Sequence, residues 1–217
     1  MGELLQFIND PTNAFADHTL TYLKICAFSI FFAILIGVVL GVAVSRNALL
    51  AFAAVNLSGL MRAVPVIAFL IAALPYLGVG FTPTVVALIV LGIPPILLNT
   101  YTGIRGIDPA IIDAARGMGM TQWQIISKIQ TPLVLPIIAA GVRTSAVQIV
   151  ATATLAAIIG AGGYGEYIID GLNRLNNIAI LAGAIPVTLL AILVELLMSW
   201  LQRILTPKGL RTVAQSN

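Results

Sequence analysis

The sequence predicts an all-α integral membrane protein with about five transmembrane helices. Two observations carry that prediction. Of its 217 residues, 59% are hydrophobic and only 9% are charged. A soluble domain carries about a quarter charged residues, so this chain could not cover a water-facing surface. Its apolar residues also fall in long runs, and a helix needs about 20 of them to cross the hydrocarbon core.

Five stretches meet that length. The first is expected over Leu20–Val44, the second over Leu60–Leu77 and the third over Thr82–Gly103. The fourth is expected over Leu133–Ile159 and the fifth over Ile178–Leu201. The first follows a polar leader containing Asp10 and Asp17, with no basic residue before Lys24. It is longer than a signal-peptide core, so it reads as a permanent span. Pro65, Pro75, Pro94 and Pro95 fall inside or at the ends of the second and third. They predict broken or kinked helices, tolerated where neighbours satisfy the freed backbone groups. Residues 1–18 are then a leader, 19–204 a transmembrane domain with a polar loop at 107–131, and 205–217 a tail.

Charge sets the sidedness. Arg46 and Arg62 flank the loop after the first span; Arg105, Arg116 and Lys128 follow the third; Arg203, Lys208 and Arg211 follow the fifth. The alternate loops are poor in base, with only Arg174 after the fourth span. The positive-inside rule then puts the N-terminus outside and the C-terminus, with the 107–131 loop, in the cytoplasm.

Several functions are excluded. One cysteine, Cys26, and one histidine, His18, rule out a disulfide framework and a clustered Cys/His metal site. Cys26 lies in an apolar run and reads as a packing residue. The P-loop pattern G-x-x-x-x-G-K-S/T is absent, so the chain is not expected to bind ATP by that device. No catalytic residue, metal or nucleic-acid partner is assigned.

The most informative stretch is the polar loop, "IDPAIIDAARGMGMTQWQIISKIQTP" from Ile107. Asp108-Pro109 predicts a helix start, with Asp as N-cap and Pro at the first helical position. Ile111, Ala114, Ala115 and Met118 share one face at helical spacing, and Asp113 and Arg116 lie on another. Gly117 and Gly119 end that helix or let it bend. Thr121-x-x-Gln124 is a capping box that starts a second helix, with Trp123 and Ile126 along one side. Pro132 marks the start of the fourth span. From these residues alone, the segment is either a pair of short helices meeting at an elbow or an amphipathic helix on the inner leaflet.

Asp113-Ala114-Ala115, three residues, Gly119, nine residues, Ile129, one residue and Thr131-Pro132 resembles the EAA loop of bacterial ABC importer permeases. That family's pattern is E-A-A, three residues, G, nine residues, I-x-L-P. This chain departs twice, with Asp113 for Glu and Thr131 for Leu. Further segments, "NTYTGIRGIDPAIIDAARGMGM" from Asn99, "GVRTSAV" from Gly141 and "TATLAAIIGAGGYGEYIIDGL" from Thr152, resemble the permeases of osmoprotectant importers. "MRAVPVIAF" at Met61 is closer to methionine-importer permeases. The resemblance implies a type I importer permease fold, like that of methionine importers, in a prokaryotic cytoplasmic membrane. It implies a coupling helix built on Asp113, Ala114, Ala115, Arg116, Gly117, Gly119 and Pro132. That helix would dock on a separate ATPase; two such subunits would hold the ATP and magnesium. A second permease copy or a paralogue completes the pair. The implied solutes are glycine betaine, carnitine, choline or similar quaternary amines, with an amino acid such as methionine as the alternative. Outside this class stand a passive channel and a secondary transporter.

Residues for the path follow from polarity inside apolar helices. Thr144, Gln148 and Thr152 recur every four residues in the fourth span and make one polar stripe. Such a stripe faces a water path or another helix. Arg143 is the deepest basic residue; it meets a solute carboxylate, reaches the interface, or pairs with Glu195 of the fifth span. Asn99 and Tyr101 end the third span and serve as gate or packing. "GAGGYGEY" at Gly160 predicts a tight turn or re-entrant cap, and Glu166 and Asp170 then give an acidic outer surface or a plain solvated loop. A fixed site for a quaternary ammonium wants an aromatic cage, and the chain is 7% aromatic. High affinity is therefore expected in a separate extracytoplasmic binding protein, since leader and tail are too short to form one.

Overall fold

The computed structural model describes residues 2–207; residues 208–217, with Lys208 and Arg211, and the side chains of Ala48 and Arg62 lie outside the described residues. Among the described residues every regular element is helical: α1 (Gly2–Asn9), α2 (Phe15–Ser45), α3 (Ala48–Ala63), α4 (Val66–Leu77), α5 (Phe81–Arg105), α6 (Pro109–Gly117), α7 (Gln122–Ile125), α8 (Thr131–Thr152), α9 (Tyr164–Asn173) and α10 (Asn177–Leu205). Helices are what lipid requires, because each backbone N–H and C=O finds its partner within the segment.

Four helical runs are long and apolar enough to cross a membrane: Pro11–Ser45, Phe81–Arg105, Gln122–Ile159 and Asn177–Leu205. They contain the expected first, third, fourth and fifth spans. The second expectation needs correction. Leu60–Leu77 is not one helix, and the polar-flanked loop before it is helix α3. Leu49–Met61 and Val66–Leu77 meet at a bend of 97° and make a fifth crossing only if counted together. The cause is Pro65: its ring excludes the helical region for the residue before it, and Val64 is extended (φ −73°, ψ 123°). Alone, the 12 residues of α4 rise only about 18 Å, short of the core thickness. Pro94 and Pro95 do not break their helix, since α5 runs on through both.

Two ends of the bundle can be told apart. The Tyr22 hydroxyl donates to Val150 O, and Gly80 N–H donates to Ile159 O at 2.8 Å, so the N-termini of α2 and α5 lie beside the C-terminus of α8. A cavity of about 560 Å³ bounded by Val42, Arg46, Ile104, Gln122, Gln130 and Val134 gathers the opposite ends. α2 and α5 thus run parallel to each other, and α8 runs antiparallel to both. Arg46 and Arg105 fall at one end, and Asp17 and Glu166 at the other.

The core lies where α2, α5 and α8 meet. Ile25, Ala33, Leu88, Ile96 and Ile149 are fully buried there, and Cys26 is buried among them as a packing residue. The helices approach closely at Gly41, where a Cβ would stand 2.5 Å from Thr100 Cβ and 2.9 Å from Leu97 O. Small residues supply the close contact that stands in for a hydrophobic drive between helices in lipid. The outward faces, such as Leu189, Ile192 and Leu196 of α10, remain exposed and suit hydrocarbon.

Gly41→Ala should therefore destabilise the protein by about 1–3 kcal/mol, the usual cost of overpacking. Thermal unfolding in detergent checks this. Gly59→Ala, where the added Cβ meets nothing within 4 Å, should leave the midpoint unchanged or slightly raised.

Candidate functional site

The 107–131 segment folds through short-range signals. The Asp108 carboxylate accepts from Ala110 N–H at 2.9 Å and caps α6, with Pro109 at its first position. At the other end Gly119 N–H donates to Arg116 O (2.9 Å) and Met120 N–H reaches back to Ala115 O (3.1 Å). That pair of bonds is a Schellman motif, and it holds Gly119 at φ +78°. A side chain with a Cβ is strained there. Gly117 is the last residue of α6, and a Cβ on it would meet nothing within 4 Å. The Thr121–Gln124 capping box is formed in both directions, Thr121 N–H donating to Gln124 Oε1 at 2.8 Å and Gln124 N–H to Thr121 Oγ1.

Two details differ from the sequence reading. The second helix is not a separate short one. α7 passes through a π turn, Ile126–Gln130, straight into α8, so one helical run extends from Gln122 to Ile159. Pro132 has no N–H to give the preceding turn, and the wider turn, closed by Thr131 N–H on Ile126 O, accommodates it without a break. The apolar face of α6 is also divided. Ala115 and, on α7, Ile125 are fully buried, and α6 packs against α7. Ala114 is exposed, as are Ile111 (42%), Met118 (72%) and, on α7, Trp123 (75%). Asp113 and Arg116 pair at 3.5 Å on the surface, with most of both side chains in solvent. Such a pair contributes little to stability.

A second feature lies on α8 itself. Arg143, Thr144 and Gln148 border an open groove of about 470 Å³ against α10, which adds Glu195 and Gln202. The Arg143 guanidinium hydrogen-bonds and pairs with the Glu195 carboxylate, and both side chains are a little over one third exposed (37% and 38%). A lone charge facing hydrocarbon is costly, and pairing offsets part of that cost. Gln202 was not singled out in the sequence; its place seven residues after Glu195, on the same helix face, was the available signal. The other path residues lie elsewhere. Thr152 closes α8 and does not border the groove. Asn99 donates to Pro95 O of its own helix at 2.8 Å, beside Gly141, and Tyr101, two residues on, is half-buried.

At the opposite end the glycine-rich stretch is a tight turn, with Gly160, Gly162 and Gly163 all at positive φ. It is followed by helix α9 rather than by a loop. The leader is tied to that helix. Gly163 N–H donates to His18 Nδ1 (3.2 Å), the Tyr164 hydroxyl to Thr19 Oγ1 (2.9 Å), and the Tyr167 hydroxyl to Asn13 O. Burial pushes the Tyr167 phenol up to about 12, with the Glu166 carboxylate adding to it, so the hydroxyl stays a donor. Phe7 and Phe15 pack edge-on and stacked against the same ring. Glu166 faces His18 at 3.6 Å, and Asp170 is exposed. No group of three metal-ligating side chains occurs among the described residues.

Residues 33–210 match the family described as binding-protein-dependent transport system inner membrane component. The chain is similar to the carnitine transport permease protein OpuCB of Listeria monocytogenes, at 39% identity over 97% of both proteins. It is 38% identical to the glycine betaine/carnitine/choline transport system permease protein OpuCB of Bacillus subtilis, over 97% of each. It is 34% identical to the osmoprotectant import permease protein OsmW of Salmonella typhimurium, over 96% of this chain and all of that one. Among solved structures, the inward-facing MetNI methionine ABC transporter superposes with a TM-score of 0.76 at 23% identity, covering 87% of this chain and 94% of that one. An amino acid ABC transporter with histidines gives 0.74 at 18%, over 92% and 97%. These two likenesses show the fold, a type I importer permease. With a family match over most of its length and relatives above 30% identity along nearly all of it, the chain belongs to the inner-membrane permeases of binding-protein-dependent ABC transport systems.

Proposed function

We propose that the chain forms the membrane path of an ATP-driven importer for small quaternary amines such as glycine betaine, carnitine or choline. The permeases it resembles along nearly their whole length carry those solutes in their names. The observation that carries the mechanism is the continuity between elbow and path. The exposed elbow side chains Ile111, Met118 and Trp123 sit at the root of the same helical run that bears Arg143, Thr144 and Gln148.

In this reading two ATPase subunits, holding the ATP and magnesium, each grip one elbow through its apolar side chains and the Asp113–Arg116 pair. Ala114 and Gly117 let the partner surface approach closely. Nucleotide-driven closure of the ATPases draws the two elbows together. Because α7, the π turn and α8 form one run, that displacement reaches the polar stripe directly and changes which side the path opens to. A second permease copy or paralogue covers the groove face, which hydrocarbon would disfavour. A separate extracytoplasmic binding protein delivers solute at the end bearing α9, Glu166 and Asp170.

Orientation follows from the same picture. The end with Arg46, Arg105, Arg116 and Lys128 is cytoplasmic, and the leader is outside. In a Cys26→Ala background, an impermeant maleimide applied to intact cells should label Asp170→Cys and spare Asp113→Cys. The reverse pattern contradicts the topology. Gly119→Val places a β-branched residue where an L side chain costs about 1–2 kcal/mol or more. It should lower ATP-dependent uptake at least tenfold with membrane insertion unchanged; uptake at the unaltered rate contradicts the coupling role.

A further inference from the structure

The Arg143–Glu195 pair joins α8 to α10, yet it is not sealed between them. Both side chains keep more than a third of their surface open, and both open onto the same groove. Thr144, Gln148 and Gln202 add polar atoms around it, and Ala140, Val147 and Ala151 give it small apolar walls.

The groove's chemistry has two poles. A guanidinium binds a carboxylate through parallel N–H donors. A quaternary ammonium has no N–H to donate, so it is held by an opposite charge and by contact with its methyl groups. A carboxylate beside alanine and valine side chains supplies both. A solute carrying a quaternary ammonium and a carboxylate on one short skeleton offers each member of the pair a replacement for the other. When no solute is present the two side chains satisfy each other, and no lone charge is left at depth.

Resting on the substrate class proposed above, we infer that Arg143 and Glu195 form a transit site for zwitterions, which opens to take the solute carboxylate on Arg143 and its ammonium beside Glu195. The pair then closes on itself as the solute leaves. Its re-formation competes with the solute, which keeps binding weak enough for passage. A cation without a carboxylate engages Glu195 alone and leaves Arg143 unpaired, so the pair favours zwitterions over simple cations.

The test uses the assembled transporter in proteoliposomes, with ATP inside and the same binding protein at saturating concentration throughout. Glycine betaine and carnitine are the zwitterionic probes, and choline the cationic one. Arg143→Gln should lower zwitterion uptake at least tenfold more than choline uptake. The double variant Arg143→Gln with Glu195→Gln removes both charges and leaves neither unpaired, so it should assemble. It should take up all three probes at least tenfold more slowly. A proportional fall for both probe classes in the single variant overturns the inference, and so does normal uptake by the double variant, since a merely structural pair predicts those results. If the unaltered transporter takes up none of the three, the proposed substrate class fails and this inference fails with it.

Discussion

Hydrocarbon offers no hydrogen bonds, and that single constraint organises this protein. It explains why every described element is a helix. It explains why hydroxyls along the spans turn back on their own helices, as Thr84 does on Gly80 O and Thr100 on Ile96 O. It also explains why Ser145 crosses to Gly92 O at 2.9 Å. Among the described residues, Ser29 Oγ is the buried side-chain polar atom left without a partner. Against so strict a background, exposed polarity on a helix marks a surface meant for something other than lipid. The groove beside α8 is such a surface.

The same constraint separates two kinds of interruption. In the long apolar α5, Pro94 and Pro95 are carried without a break, whereas at Pro65 the paired helices bend by 97°. Outside the apolar spans, water and side-chain caps can satisfy freed backbone groups, and the chain there turns sharply. The elbow uses an Asp cap, a Schellman turn at Gly119 and a capping box within about four helical turns. These local devices satisfy its backbone groups without a large core. A stiff elbow continuous with a stiff helix transmits displacement, whereas a flexible loop would absorb it. In the proposed coupling role, displacement would pass along this continuous run through the backbone more than through any single contact.

Signals confined to a few neighbouring residues were legible in the sequence. Asp108-Pro109, Thr121-x-x-Gln124 and Gly119 specify their local structures through bonds spanning five residues or fewer. Four spans were legible because length and hydropathy suffice. The direction of the chain after Pro65 was not, because a proline dictates a break and packing dictates the angle. Pro132 marks the start of α8, and the π turn that precedes it has no sequence signature. The leader's attachment was hidden as well, since it rests on contacts such as His18 with Gly163 and Tyr167 with Asn13, separated by 145 and 154 residues. For Arg143 and Glu195 the residue types suggested a pair, but only the helix register brings side chains 52 residues apart to one groove.

The account stands on the elbow being held by a nucleotide-driven partner. The most direct measurement places a photoactivatable phenylalanine analogue at Met118 in the assembled transporter and identifies what it captures, with the same analogue at Leu189 on the exposed face of α10 as reference. The account predicts capture of the ATPase subunit from Met118 and of no protein from Leu189. Capture of lipid alone from Met118, or of the extracytoplasmic binding protein, would contradict it.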